Sequence, residues 1–277
     1  MPSTILLYLI MSELSQDPAQ GLGGKADQET VVQKFNPKEW ELVWKDDFEN
    51  GQYDPDSWGF EEGYVRNGEA QYYTRARKEN LRVGNGRLII QARKDNWEGK
   101  PITSASLTTK GKREFRYGRI EAMVKIPTGR GTWPAVWTLG TNVDQVGWPK
   151  CGELDILENV GYDPDGIHAN IHVDAYNHMR KTGKGRRITA DRKPYESFNL
   201  YALEWYPNRV DFFFNEQKYF SFAREANATE ATWPFDKPQY LILNLAIGGA
   251  WGGQQGIDDA IFPATMEVEY VKYFRRK

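Results

Sequence analysis

The chain has 277 residues, enough for one well-buried domain or two small ones. Lys and Arg number 36 against 38 Asp and Glu, and the resulting net charge of −2 excludes the strong positive field of a general nucleic-acid binder. A single cysteine, Cys151, excludes an internal disulfide and a Cys-rich zinc site, whereas 10 Trp, 15 Tyr and 13 Phe supply flat apolar faces for sugars, bases or partner surfaces.

The first feature along the chain is the apolar run Ile5 to Met11. It is far shorter than a membrane span. Its length suits the core of an export signal, yet no basic residue precedes it and no clear small-residue cleavage site follows. It reads as an atypical export signal or as an unstructured leader. Residues 12–36 are polar and aperiodic, with Gly21, Gly23 and Gly24, and read as a linker. Residues 37–277 then form one expected domain.

That domain is dominated by short strand-like runs between turn signals. They include Glu41 to Trp44, Arg87 to Ala92, Gly118 to Ile126, Arg209 to Phe214, Leu241 to Ala246 and Met266 to Tyr273. Turns are marked by Asn85-Gly86, Pro127-Thr128-Gly129, Pro207-Asn208 and Gly248-Gly249. Strands at roughly ten-residue spacing, without alternating helices, predict a β-sandwich or closed barrel.

The most informative stretch is Gly152-Glu153-Leu154-Asp155-Ile156-Leu157-Glu158. On a strand, Glu153 and Asp155 share one face, while Leu154 and Ile156 point into a core. Strict alternation would drive Glu158 inward, where an unpaired carboxylate is costly. A β-bulge at Ile156-Leu157 returns Glu158 to the acidic face. The outer two acids are then about 13 Å apart at Cα. Side chains leaning together bring their carboxyls to roughly 5–6 Å, near the ~5–5.5 Å of a retaining glycosidase. Like-charge repulsion in such a cluster raises at least one pKa and leaves a proton for general-acid work. An ordinary half-buried strand with an acidic face gives the same alternation, but like charges on one face destabilise it unless something uses them.

Upstream, Trp133 and Trp137 share a strand face, and Trp148 follows in Gly147-Trp148-Pro149. A groove floor suits an indole that is expensive to expose; sandwich core is the competing reading, and Trp137 is the better core candidate. The patch Arg66 to Thr74 offers amides and acids that could bind hydroxyls, or forms an ordinary loop. His168 and His172 lie on one strand face, too far apart for easy shared metal coordination. A hydrogen-bonding role beside the carboxylates suits them better.

Glu153-Leu154-Asp155-Ile156-Leu157-Glu158 resembles the E-x-D-x-x-E signature of glycoside hydrolase family 16 in its bulged form. Supporting matches are Glu69-Ala70-Gln71-Tyr72-Tyr73-Thr74, Tyr117 to Glu121, Gly131 to Trp137, Gly147-Trp148-Pro149 and Ile242 to Gly249. The resemblance covers residues ~40–275 and is similar to laminarinase-like endo-β-1,3-glucanases. It implies an all-β, concanavalin-like jelly-roll sandwich with an open cleft on its concave sheet, and a retaining hydrolase acting on β-1,3-glucan. It implies Glu153 as nucleophile, Glu158 as general acid/base and Asp155 as helper. It implies Trp133, Trp137, Asn67, Arg119 and His172 as substrate contacts, with Trp148, Glu69, Asn244 and Trp251 completing the candidate set. A β-1,3-1,4-glucan or galactan substrate, transfer in place of hydrolysis, and a non-catalytic glycan-binding jelly roll are the alternatives. No cofactor is required. A structural calcium is a weak expectation at Glu49, Gly86 and Glu269, because Glu269 stands where many laminarinases carry Asp. The expected partner is a polysaccharide, without nucleic acid or membrane span, and the expected form is an extracellular or periplasmic monomer.

Overall fold

The computed structural model describes residues 35–277, so the apolar run at 5–11 and the linker up to residue 34 lie outside the described residues. The first strands are β1 (Trp40–Asp46), β2 (Gly59–Phe60), β3 (Tyr72–Tyr73), β4 (Leu81–Gly84), β5 (Arg87–Ala92) and β6 (Thr103–Ser104). Next come β7 (Ser106–Thr108), β8 (Gly118–Lys125), β9 (Thr132–Gly140), β10 (Glu153–Glu158), β11 (Gly166–His172) and β12 (Lys184–Thr189). The last five are β13 (Asn199–Tyr206), β14 (Arg209–Phe214), β15 (Gln217–Ala223), β16 (Gln239–Ile247) and β17 (Ala264–Arg276). Among the described residues, helix is limited to one turn, α1 (Val143–Val146), and short 3-10 segments. Every strand expected from the sequence is present. Phe35 and Asn36, read as the end of the linker, belong to the folded body: Asn36 caps the 3-10 turn Pro37–Glu39, and Phe35 packs on Trp40 and Phe274.

Fifteen of the strands form two antiparallel sheets rather than a closed barrel, and β3 and β6 make a separate two-stranded parallel pair. One has eight strands in the order β15-β14-β13-β8-β17-β5-β4, with β1 also on β17; the other has seven, ordered β12-β11-β10-β9-β16-β7-β2. This is the jelly roll expected of the sequence. Period-two alternation explains the stacking. Ile120, Ala122 and Val124 of β8 meet Val136, Leu154, Ile167, Ile171, Leu241, Leu243 and Leu245 of the seven-stranded sheet in one buried core. Each of the Val, Leu and Ile side chains contributes about 1.5–3 kcal/mol when removed from water.

The interior strand β16 is buried on both faces because a second, smaller cluster lies on the cleft side of the sheet. There Ala135, Trp137, Leu139, Cys151, Tyr240 and Ile242 are covered by Val143 and Trp148. That cluster anchors the β9–β10 connection. The connection folds back so tightly that Gly140 donates to the Gly152 carbonyl at 3.0 Å, and a Cβ at position 140 would lie 2.1 Å from the Cys151 carbonyl oxygen.

Candidate active site

The bulge sits where the alternation demands it. On β9, Asp155 is opposite Trp137 and Leu157 opposite Val136, so Ile156 is the extra residue; toward β11 the register shifts between Asp155 and Glu158. Ile156 and Leu157 both enter the core, and Glu158 returns to the side of Glu153 and Asp155. Residues opposite the three acids share that face. Leu139, Trp137 and Ala135 come from β9, and His172, Asn170 and His168 from β11.

Each outer acid is held by an indole N–H. Trp148 Nε1 donates to Glu153 Oε2 at 2.8 Å, and Trp133 Nε1 donates to Glu158 Oε1 at 3.0 Å. The other oxygen of Glu158 accepts from Asn170 Nδ2 at 2.7 Å. Sequence reasoning valued these tryptophans as sugar platforms and missed their hydrogen bonds. It also missed Asn170, although Asn170 lies between His168 and His172 in the same alternation. That periodicity was the available signal.

All three acids bind protons more tightly than free carboxyls. Burial is the largest cause. It pushes Glu153 up to about 8, with the Glu158 charge adding to it, and pushes Glu158 up to about 7. Like-charge repulsion, the cause expected from the sequence, is outweighed by desolvation. The donors work in the opposite sense: Trp148 and the Arg66 charge pull Glu153 down, while Asn170 and Trp133 pull Glu158 down. Asp155 is raised well above the ordinary carboxylate range, first by burial and then by Glu153. It is 2% exposed, and its Oδ2 has no donor. A proton on Asp155, shared with Glu153, satisfies that oxygen and holds the Glu153 carboxylate in place.

His172 faces this pair, with Nε2 3.5 Å from Asp155 Oδ2 and 3.7 Å from Glu153 Oε1. Burial depresses its pKa to about 4, so the ring is neutral at pH 7. Glu153, Asp155 and His172 are the one set of three or more His, Cys, Asp or Glu side chains among the described residues whose ligand atoms lie within 4.8 Å of one another. Glu49 and Glu269 make no such set.

The remaining candidates divide into three groups. Trp251 stands edge-on to both Trp133 and His168, with centroids 5.6 and 4.9 Å away, and so extends the wall beside Glu158. A buried relay holds the other side: Trp137 Nε1 donates to Asn244 Oδ1 (2.7 Å), Asn244 Nδ2 to Tyr73 Oη (3.0 Å), and Tyr73 Oη to Glu69 Oε2 (3.3 Å). Gln71 and the exposed Asn67 also donate to Glu69. Trp137 lies on the cleft face, but Arg66 sits 5.0 Å over its ring and only 8% of the residue is exposed. Arg119 is the correction. It lies on β8, in the other sheet. Ile120, Ala122 and Val124 take the inward positions of that strand, so Arg119 points outward, away from the cleft, against Glu121, Glu204 and Glu216.

An open β-sandwich with three neighbouring carboxyls under indole and amide donors is the arrangement of a glycoside-cleaving enzyme. The chain belongs to the glycosyl hydrolases family 16, whose model matches residues 68–272. It is 46% identical over 245 residues to a beta-glucanase of Rhodothermus marinus, covering 85% of each chain. It is 34% identical over 255 residues to a glucan endo-1,3-beta-glucosidase of Cryptopygus antarcticus, covering 84% of this chain and 91% of that one. Among solved structures it resembles the laminarinase from Rhodothermus marinus, with a TM-score of 0.82 at 44% identity over 86% of this chain and 98% of that chain.

Proposed function

We propose that this protein is a retaining, endo-acting hydrolase of β-1,3-glucan. The observation that carries the reading is the bulge in β10, which turns Glu153 and Glu158 to one face with Asp155 between them. Glu153 attacks the anomeric carbon as Glu158 gives its proton to the departing glycosidic oxygen. The glycosyl ester on Glu153 is then cleaved by water, whose proton returns to Glu158. The ester oxygen leaves as the Glu153 carboxylate, and both acids are restored.

The two acids share one proton at neutral pH, since they titrate as a pair. A glycosidic oxygen only accepts hydrogen bonds, so a sugar bridge beside Glu158 draws that proton to Glu158. Glu153 keeps its charge through the Trp148 N–H and the proton on Asp155. A polymer too large to cross a membrane supports work outside the cytoplasm, and no helix among the described residues is long and apolar enough to span one.

Reducing-end release from laminarin and mixed-linkage glucan tests the reading. Glu153→Ala and Glu158→Ala should each lose at least about 10³-fold in kcat/KM. Near wild-type turnover by either variant on every glucan would overturn it.

A further inference from the structure

We propose that Gly185, on the edge strand β12, is a positioning residue that seats the Asn170 amide against the general acid/base Glu158. The inference rests on the acid/base reading of Glu158 and adds a residue two strands away from it.

Asn170 and Gly185 are direct cross-strand partners in the β11–β12 ladder. Asn170 faces the cleft with His168 and His172, and its Nδ2 donates to Glu158 Oε2 at 2.7 Å. Fixing that N–H on Glu158 also fixes the other end of the planar amide. A Cβ on residue 185 would lie 2.1 Å from Asn170 Oδ1 and 2.5 Å from the Ala169 carbonyl oxygen. Both distances are far inside van der Waals contact. The first atom belongs to a side chain already committed to Glu158, and the second is backbone. Gly185 has no positive φ, so conformation does not require glycine there. The requirement is space for the amide. Any side chain must rotate Asn170 off Glu158 or push the edge strand away from β11.

The consequence is chemical because little else donates to Glu158. Trp133 Nε1 is its other donor. The titratable groups around it are Glu153 and Asp155 on its own strand, His168 directly opposite on β11, and Tyr219 from β15 of the other sheet. Behind His168 stand Asp163 and Arg187, paired with each other at 2.6 Å. None of these replaces a neutral amide N–H on Oε2. Losing that donor removes a bond that favours the anion, so Glu158 holds its proton to higher pH. The basic limb of the pH profile of a general acid then moves upward.

The experiment is a double-mutant cycle on laminarin hydrolysis with Asn170→Ala, Gly185→Ala and the double variant, each with a full pH profile. Asn170→Ala should lower kcat about 10- to 100-fold, the scale of a hydrogen bond to a charged group. It should also move the basic limb up by about one pH unit. Gly185→Ala should move the same limb in the same direction, and the double variant should match Asn170→Ala alone. Effects that simply multiply would overturn the proposal, as would an unmoved basic limb in Gly185→Ala. So would loss of cooperative melting in Gly185→Ala, which would assign the glycine to the edge strand and not to Glu158. Asn170→Asp, which removes the donor without touching β12, reads the same limb independently and should also move it up. The parent reading has its own arm: Glu158→Ala with wild-type turnover sinks the acid/base role, whereas an inactive Glu158→Ala with a multiplicative cycle sinks only this inference.

Discussion

On the outer face of the eight-stranded sheet, Glu121, Glu204 and Glu216 surround Arg119, which donates to them at 2.9, 3.1 and 2.9 Å. In the cleft, Glu153, Asp155 and Glu158 are buried just as deeply, yet no cation is bonded to them; their donors are two indoles and one amide. The cleft acids, Glu121 and Glu204 sit on strands, and Glu216 joins the outer cluster from the turn between β14 and β15. The outer one is cemented by a guanidinium with no exposed surface, under the rings of Phe35 and Phe213. The cleft cluster is held by neutral groups that orient the carboxyls while leaving their protons exchangeable. A buried charge that is paired serves the fold, whereas a buried carboxyl with neutral partners is poised for acid–base chemistry.

The sharpest way to break this contrast is to remove the outer cation. Arg119→Met leaves three acids without their partner and should destabilise the protein by about 3–5 kcal/mol in denaturant melts. The folded fraction should keep its kcat within about twofold. A tenfold fall in activity per folded molecule would tie Arg119 to the cleft after all.

The cleft acids should show the opposite trade. Free Glu titrates at 4.5, and Glu153 is raised to about 8, so the folded protein retains a proton that the unfolded chain releases between those values. The stabilisation from this carboxyl is complete below 4.5 and is lost as pH rises to about 8. Glu153→Gln cannot ionise. It should therefore be more stable than wild type by about 1–3 kcal/mol at pH 8.5, show no gain at pH 4, and be inactive at both. Thermal melts at the two pH values check this. Equal stability of the two proteins at pH 8.5 would mean the acid is solvated and not strained by burial.

The smallest expected effect separates the two uses of an indole. Trp148→Phe keeps a ring but deletes the N–H on Glu153. It should lower kcat about tenfold, the scale of a hydrogen bond to a charged group, and should raise KM little. A large rise in KM with kcat intact would make Trp148 a sugar platform and not a carboxylate holder.

Much of this was legible from the residues. The strands followed from period-two alternation, and the bulge followed from one conflict: Glu158 had to face either Leu154 and Ile156 or water. Arg119 was misplaced because family resemblance carried it by position, while the alternation of Ile120, Ala122 and Val124 already turned it to the outer face. The alternation of His168, Asn170 and His172 places Asn170 on the cleft face, but its bond to Glu158 comes from the pairing across the ladder, which no local pattern encodes. The covering of Trp137 by Arg66 depends on how the 61–70 loop folds back, which no local pattern encodes. The dominance of burial over repulsion in raising the acids depends on the depth of the cleft, which is a tertiary property.

The central claim is that Glu153 and Glu158 act on one sugar bond from a shared face, the first as nucleophile and the second as acid/base. Azide rescue with an activated β-glucoside donor tests it most directly. Glu153→Gly should give the inverted α-glycosyl azide, because azide replaces the missing nucleophile on the substrate itself. Glu158→Ala should give the retained β-azide, because azide opens the glycosyl ester still formed on Glu153. The reverse assignment, or the same anomer from both variants, would contradict the account.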